Sequence, residues 1–331
     1  MFKCTLRSAS ALALFLALAA TPVKALTIVN TFDTTLTSDP SVAQIEATIN
    51  AASSTISSLY SNNVTVNITY QLVTTGLGGS SQGLYGVDYA SYRAALTADA
   101  AAHPTDTTLA TAVAHLQSGS SASAASGGVT SMALTGSLFN VLAQYGGANP
   151  VWNPPVSPAG GAISLNSSLI SWGNGPVTGG LYSGTSVVEH EIDEILGGGG
   201  PGSALGQPYS GSFLGSLDAY RYRAPGVQSF DTADPSAYFS IDGGVTNIVG
   251  FNQTGSGDYG DFINTCHIQN AFGCPDTPAE TFRGSVQDTM LQALGYDSVA
   301  APAPAPGAGL ACLAAVLFAG AARKRSKPPR A

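Results

Sequence analysis

The chain has 331 residues, enough for one large domain or two small ones. Its formal net charge is −8, and only 10% of its residues are charged. All Asp and Glu residues lie between Leu26 and Ala300. The basic residues of that segment are Arg93, Arg221, Arg223 and Arg283. A domain this acidic is not expected to bind nucleic acid or an anionic membrane by charge, whereas it is suited to binding cations.

The N-terminus has the pattern of a secretory signal. Lys3 and Arg7 precede the apolar run ALALFLALAA, which is too short to span a membrane stably. Val23-Lys24-Ala25 then offers an A-x-A-like cleavage site. We therefore expect Met1–Ala25 to be a signal peptide and the domain that follows to be exported.

Periodic apolar residues predict regular elements in the first half of the domain. Strands are expected at Leu26–Phe32, Asn62–Val73 and Ala162–Trp172. Helices are expected at 40–60, 89–102, 107–117 and 132–145, with a flexible loop at 118–128. The glycine-rich segment TGLGGSSQG, after the second strand, is expected to be a separating loop.

The second half begins with a helix over Ser183–Leu196, which the glycine run Gly197–Gly202 ends. Short strands and loops follow, and a last helix is predicted over 284–294. This order of elements suggests a single α+β domain over 26–300, with a mixed sheet packed on the Ser183–Leu196 helix and a loop-rich C-terminal half.

Two of the four cysteines fall inside the domain. Cys266 and Cys274 lie eight residues apart in a loop-like stretch, while Cys4 and Cys312 lie near the chain ends. In an oxidising compartment this spacing predicts one local disulfide. The alternative is a metal-binding cysteine pair, but it lacks further Cys or His partners at the usual spacing.

The Ser183–Leu196 helix carries the segment VVEHEIDEILG, which begins like the zinc-protease signature His-Glu-x-x-His. His190 and Glu194 are four residues apart and share one helical face, and imidazole and carboxylate are both zinc ligands. Glu191 lies beside this pair, where it can accept a proton from an attacking water. The pattern predicts a metal site with Glu191 as general base.

The alternative is a solvated acidic face with His190 as an ordinary polar residue, because short motifs give many false matches. The residues around the motif are apolar, so the helix is expected to be largely buried, and no lysine or arginine is close in sequence. Buried carboxylates without partners are unfavourable, and a bound cation is a general remedy.

Five segments together resemble a family of secreted bacterial metalloproteases of the zincin type, in which His-Glu-x-x-Glu stands in the site helix. They are VVEHEIDEILG, LDAYRYRAPGVQSF, AYFSIDGG, GFNQTGSGDYGDF and LQALGYD. The resemblance covers most of Leu26 to Asp297. It implies a zincin-like or metzincin-like fold, one zinc ion bound by His190 and Glu194, and Glu191 as the residue that polarises water.

The chain departs from the metzincin pattern His-Glu-x-x-His-x-x-Gly-x-x-His. Glu194 replaces the second histidine and Gly200 stands at the third ligand position, whereas Gly197 matches the turn glycine. No Met-turn is recognisable, since the only later methionine is Met290. Laying GDYGDF on the distal-ligand loop of leishmanolysin-like relatives puts Asp261 where the third ligand would be.

Other residues could supply the third ligand or other functions. The remaining candidates for the third ligand are Asp218, Asp258 and His267. We expect His103 and His115 to be surface residues, and Arg221 or Arg223 to pair with buried carboxylates.

The C-terminal segment 301–331 has three parts, an Ala-Pro linker, an apolar run at 307–322 and a basic end. This order resembles the PEP-CTERM sorting tails of exported bacterial proteins, here with Pro-Ala-Pro in place of Pro-Glu-Pro. A GPI signal is the rival interpretation, but such signals end apolar. The resemblance implies transient membrane anchoring through the apolar helix.

The sequence therefore predicts an exported, tail-anchored zinc peptidase that acts on a protein or peptide substrate. One alternative is a non-catalytic cell-envelope or matrix protein with a structural or vestigial metal site. Another is a calcium-binding adhesion module that uses clustered aspartates, although His190 in the cluster argues against calcium. The aspartates in question are Asp231, Asp234, Asp242, Asp258 and Asp261.

Overall fold

The computed structural model describes residues 25–122, 128–157, 159–173, 175–263 and 265–299. The predicted signal peptide, apart from Ala25, and the predicted C-terminal tail lie outside these residues. The described part of the chain through Ser298 belongs to one compact unit. Within the described ranges, no helix combines the length and the apolar character that crossing a bilayer requires.

Strands and helices are mixed along the chain, which confirms the predicted α+β class. The strands are β1 (Thr27–Phe32), β2 (Thr65–Leu72), β3 (Gly78–Gln82), β4 (Leu84–Asp88), β5 (Ser131–Thr135), β6 (Gly160–Leu165), β7 (Ile170–Ser171), β8 (Tyr182–Ser183), β9 (Leu214–Gly215), β10 (Arg221–Ala224), β11 (Val227–Gln228), β12 (Tyr238–Phe239) and β13 (Val249–Gly250). The helices are α1 (Thr34–Thr37), α2 (Val42–Leu59), α3 (Tyr89–Ala102), α4 (Thr107–Ala114), α5 (Gly136–Ala143), α6 (Gly184–Ile195) and α7 (Val286–Ala293).

The main sheet has the strand order β1-β2-β6-β3. β1, β2 and β6 are parallel, with Thr27 opposite Thr65 and Asn67 opposite Gly160. β3 runs antiparallel to β6 and forms one edge of the sheet. Alternate residues of β2 are buried, and α2 and α6 pack against each other beside this sheet. The result is the predicted mixed sheet packed on the helix that carries the candidate site.

The rest of the domain is built from smaller sheets. One has the order β4-β5-β9, another β11-β10-β12-β13, and β7 pairs with β8. After α6, the described chain consists of strands of two to four residues, short helical turns and α7. The predicted loop-rich C-terminal half is therefore confirmed.

The strand expected over Ala162–Trp172 is interrupted, because β6 ends at Leu165 and a turn closed by Leu169 and Asn166 precedes β7. Two further predictions about local structure are wrong. The helix expected over 132–145 begins only at Gly136, because Ser131–Thr135 pairs antiparallel with β4. The Thr135 side chain caps the shortened helix by accepting a hydrogen bond from the Leu138 N–H. The glycine-rich segment expected to be a loop contains β3, which pairs with β6 along its whole length. In both segments, pairing with a distant strand decides the local structure.

Candidate metal centre

Helix α6 begins where the Ser183 hydroxyl accepts a hydrogen bond from the Ser186 N–H. Its apolar residues Val188, Ile192 and Ile195 are buried in the core. The helix spacing therefore turns His190, Glu191 and Glu194 toward β3 and the loops beyond it. These side chains keep little contact with solvent, since the His190 side chain is 16% exposed and that of Glu194 7%.

The glycine run after α6 lets two loops meet at Glu194. Gly197 has φ 98°, which ends the helix in a sharp turn. The chain then returns over the helix, and the Gly200 N–H donates to Glu194 Oε1 at 3.2 Å. A Cβ atom on Gly260 would collide with the Gly199 carbonyl oxygen. Glycine at these positions therefore allows the loop that ends in Asp261 to pack directly on the turn.

Three predicted metal ligands converge at this place. His190 Nε2 lies 3.6 Å from Glu194 Oε1 and 3.8 Å from Asp261 Oδ2. One donor atom from each of the three side chains lies within 4.8 Å of the other two. Zinc bonds of roughly 2.0–2.2 Å at tetrahedral angles separate two ligand atoms by roughly 3.3–3.6 Å. The two distances from His190 Nε2 are therefore close to those that zinc requires, and the donor atoms are of the right type.

The loop closed by a disulfide fixes the orientation of His190. Cys266 and Cys274 form the predicted disulfide. Within this loop, the Ile268 carbonyl oxygen lies 2.9 Å from His190 Nδ1. A proton held on Nδ1 by this carbonyl leaves the Nε2 lone pair directed at the carboxylates, which is the usual arrangement of a metal-binding histidine.

Gln269, which no sequence pattern singled out, lies in the same loop and is fully buried. Its amide nitrogen donates to Asp261 Oδ1 at 2.9 Å and lies 3.2 Å from His190 Nε2. Its carbonyl oxygen has no hydrogen-bond partner. No sequence signal separates this glutamine from other loop amides, because its position depends on how the disulfide loop folds over α6.

Glu191 and Glu194 have different hydrogen-bonding environments. Glu194 Oε2 accepts a 2.6 Å hydrogen bond from the Ser80 hydroxyl, so β3 orients this carboxylate. The Glu191 carboxyl faces Gly78, where a Cβ atom would collide with Oε1. Glu191 Oε2 is buried without a hydrogen-bond partner. Glu191 is therefore a carboxyl group beside the three converging donors, with one oxygen unoccupied.

Burial and charge shift the pKa of every titratable group at this centre. Burial and the neighbouring Glu194 raise the pKa of Glu191 well above its usual value, and burial raises that of Asp261 to about 7. Burial opposes the charge on His190, but the carboxylates, Asp261 first, outweigh it and raise its pKa well above 6.5. Burial also opposes the charge on Glu194, but its hydrogen bonds prevail and lower its pKa. The site thus favours positive charge at His190 Nε2.

The other residues considered as third ligands occupy different positions. Asp218 is buried and accepts hydrogen bonds from Ser203, Ala204 and Gly215, so it holds two loop segments together. His267 is exposed at the rim of the cavity over the site. Asp258 lies against Gly200, and burial together with the charge of Glu194 raises its pKa.

Of the aspartates weighed as a calcium module, Asp258 and Asp261 line the cavity at the metal centre. Asp231, Asp234 and Asp242 stabilise local turns instead. Asp234 accepts hydrogen bonds from the side chains of Ser229 and Ser236. Asp242 accepts hydrogen bonds from Ser240 and Thr246. Each carboxylate therefore stabilises its own loop.

Neither Arg221 nor Arg223 forms the expected ion pair with a buried carboxylate, although the charge of Arg221 opposes the rise that burial causes in the pKa of Asp218. Every ion pair between described side chains involves histidine. Arg221 is fully buried, lies over the Phe251 ring at 4.3 Å, and donates to the Tyr259 carbonyl oxygen at 2.7 Å. It therefore supports the loop that carries Asp261 through a backbone contact.

A cavity of about 380 Å³ opens over the three donors. Acidic residues and His190 line its floor, while Leu77, Leu169, Tyr182 and Phe272 supply apolar walls. β3 borders the cavity with Gly78 and Gly79, and its outer edge has no strand partner among the described residues. An apolar-walled cavity beside a free strand edge is suited to an extended chain.

The chain finds no match among protein-family models, curated proteins or solved structures. The chemistry of the centre therefore follows from its own donor atoms, from their burial and from their charge.

Proposed function

We propose that this protein is an exported, zinc-dependent peptidase of zincin-like fold. The observation that carries the proposal is the convergence of His190, Glu194 and Asp261 beside the free carboxyl oxygen of Glu191, on the floor of an open cavity. The signal-like N-terminus and the disulfide support export. Transient anchoring through the PEP-CTERM-like tail is part of the same proposal.

The zinc ion would be held by His190, Glu194 and Asp261. When bound, it would supply a Lewis acid that polarises a carbonyl group and lowers the pKa of water. Two carboxylate ligands neutralise more of its charge than two imidazoles would, so this centre is expected to be a weaker Lewis acid than a histidine-rich one. Ser80 and the Ile268 carbonyl orient two of the ligands.

Glu191 would act as the general base. Its free Oε2 accepts a proton from the attacking water, and the protonated carboxyl then returns that proton to the leaving amine. The close approach of Gly78 keeps the carboxyl against β3 and away from bulk solvent. This role explains why Glu191 lies on the same face of α6 as Glu194 but is not one of the three converging donors.

The substrate would be a polypeptide bound in an extended conformation. The outer edge of β3 offers backbone N–H and C=O groups for pairing with such a chain. The apolar walls of the cavity would accept an apolar side chain next to the scissile bond. A mixed sheet whose antiparallel edge strand borders the site helix also supports the zincin-like fold.

The buried amide of Gln269 favours a second candidate function, a non-catalytic envelope protein with a structural metal site. Rotating this amide by half a turn would direct its unpaired carbonyl oxygen toward His190 and Asp261. A fourth protein ligand would close the site to water, as in structural zinc centres.

The decisive experiment uses the purified full chain and two isosteric variants, Glu191→Gln and Glu189→Gln. Both substitutions are on α6, but Glu189 faces away from the cavity and accepts a hydrogen bond from the Thr281 N–H. We measure zinc by elemental analysis and hydrolysis of an unfolded protein such as casein. We expect the same zinc content in all three proteins, and a roughly 10²–10⁴-fold loss of hydrolysis only in Glu191→Gln.

Hydrolysis that survives Glu191→Gln unchanged would overturn the peptidase assignment. Bound zinc without hydrolysis in the wild-type protein would favour the envelope protein. Gln269→Ala then tests that reading, because a closed structural site loses affinity for zinc when its fourth ligand is removed.

A further inference from the structure

A second group of His and Asp side chains lies at the end of α3, away from the cavity. His103 Nδ1 is 2.8 Å from Asp99 Oδ1 and 2.9 Å from Asp297 Oδ1. Asp99 and His103 are four residues apart at the C-terminal end of α3, whereas Asp297 comes from the segment after α7. His103 is partly exposed, as expected of a surface residue, but two buried carboxylates also contact its ring.

When both carboxyl groups are ionised, the hydrogens of the neighbouring groups do not satisfy all of their oxygens. Nδ1 carries at most one proton, so it can donate fully to only one of the two oxygens. It makes a hydrogen bond with Asp99 Oδ1, and Asp297 Oδ1 is left buried without a donor. Asp297 Oδ2, in contrast, accepts hydrogen bonds from Tyr145 at 2.6 Å and Asn62 at 2.8 Å. An unpaired carboxylate oxygen therefore points into the cluster.

The two carboxylates stay charged together only with a compensating cation, since burial and the charge of Asp297 raise the pKa of Asp99 to about 9. The Asp99 side chain is fully buried and that of Asp297 is 4% exposed. No lysine or arginine forms an ion pair with either within the described part of the chain. His103 is 38% exposed and lines a surface cavity of about 450 Å³ with Asn62, Tyr145 and Asp297. An ion and its waters could enter from this side.

We propose that Asp99, His103 and Asp297 form a second cation site, which binds a divalent ion of the zinc class. One imidazole nitrogen and two carboxylate oxygens are a donor set for zinc rather than for calcium or magnesium. The ion would fasten the end of α3 to the segment that follows α7. It would be a structural site, because the hydrogen bonds from Tyr145 and Asn62 fix Asp297 in place.

This site is independent of the proposed peptidase centre. It uses different elements and would stabilise the domain whether or not the protein hydrolyses peptides. The test must therefore separate the two centres, so it is carried out on full-length protein with Glu194→Ala, which removes a ligand of the first site.

Two further substitutions in this background form a matched pair, His103→Ala and His115→Ala. Each histidine caps the C-terminal end of a helix and contacts the residue four positions earlier. The His115 ring, however, makes its hydrogen bond with the Thr111 backbone carbonyl and not with a carboxylate. We measure bound zinc after dialysis and the shift of Tm when ZnCl₂ is added. We expect the His103→Ala protein to bind one zinc ion fewer than the His115→Ala protein, and to lose the zinc-dependent increase in Tm.

Equal zinc content and equal Tm shifts in the two proteins would overturn the proposal and leave a pair of carboxyls that share a proton. If His103→Ala does not fold, Asp99→Asn takes its place, because it removes a charged ligand and keeps the shape of the side chain. Loss of one zinc ion in folded Asp99→Asn protein supports the site, and retention of that ion refutes it.

Discussion

Helix α6 buries carboxylates on both of its faces, and the groups that surround these carboxylates differ between the two faces. The front face carries His190, Glu191 and Glu194 and borders the cavity. The back face carries Glu189 and Asp193, both with no exposed surface. Neither oxygen of Asp193 has a hydrogen-bond partner, and Glu189 accepts a hydrogen bond through only one of its oxygens.

On the back face, a bound proton compensates for the burial of the carboxylates. Burial raises the pKa of Asp193 well above its usual value and that of Glu189 to about 7. A buried carboxylate in α6 is therefore not by itself evidence of a metal ion, because a bound proton can compensate for its burial as well as a cation can. The front face differs because an imidazole nitrogen, the distant Asp261 and an open cavity meet there.

The largest expected effect is the loss of the front-face ion. Removing zinc with a chelator should lower the Tm of the wild-type protein, because free zinc at 1,000 times its Kd stabilises a folded state by about 4 kcal/mol. Glu189→Gln should respond like the wild type, whereas Glu194→Ala should lose the contribution of this centre. Differential scanning calorimetry with and without chelator checks this, and equal responses of the two variants would contradict it.

The pH dependence of stability tests the protonation of Glu189 on the back face. Between pH 4.5 and about 7 the folded protein keeps a proton on Glu189 that the unfolded chain has released. The free energy of unfolding therefore falls as pH rises through this window, by about 3 kcal/mol from this group alone. Glu189→Gln should remove that part of the slope and be the more stable protein at pH 8.

Urea denaturation at pH 4 and pH 8 measures the difference. The wild type and Glu189→Gln should have similar stability at pH 4, where Glu189 is protonated in both folded and unfolded chains. An unchanged difference between the two proteins at the two pH values would mean that Glu189 keeps an ordinary pKa in the fold.

The approach of β3 to the front face gives the next prediction. A Cβ atom on Gly78 would collide with the Glu191 carboxyl and press on Val187, whereas one on Gly79 meets nothing within 4 Å. Gly78→Ala should therefore destabilise the fold by about 1–3 kcal/mol and reduce hydrolysis. Gly79→Ala is the matched control and should behave like the wild type in thermal unfolding and in the casein assay.

Much of the regular structure was predictable from local patterns. The strand at Leu26–Phe32 and the helix at 89–102 follow from apolar periodicity and agree with the structure to within a residue. β3 was not predictable, because its glycine and serine residues have no strand preference and it exists only by pairing with β6. The helix predicted from Met132 failed for the same reason, since β4 pairs with its first residues.

The candidate site was predictable in part. The spacing of His190, Glu191 and Glu194 put three side chains on one helix face, and the family resemblance brought in Asp261. Gln269 and Ser80 could not be predicted, because each contacts the centre only after a distant loop or strand has folded against α6. Their residue types gave no indication of a role at the site. The glycine run after α6 was evident in the sequence, but the sequence did not show that it lets the Asp261 loop pack on the turn.

Ser80 gives the smallest expected effect and tests whether the front face is organised around an ion. Its hydroxyl donates to Glu194 Oε2 at 2.6 Å, while the Gly200 N–H donates to the other oxygen. Ser80→Ala leaves the second donor, so zinc affinity at this centre should fall by about tenfold, the low end of what removing an outer-shell partner costs. Competition with a zinc-binding dye measures the change. A vestigial site predicts no change in zinc affinity. A loss of affinity in Ser80→Ala without a matching loss in Glu189→Gln would assign the metal to the front face of α6.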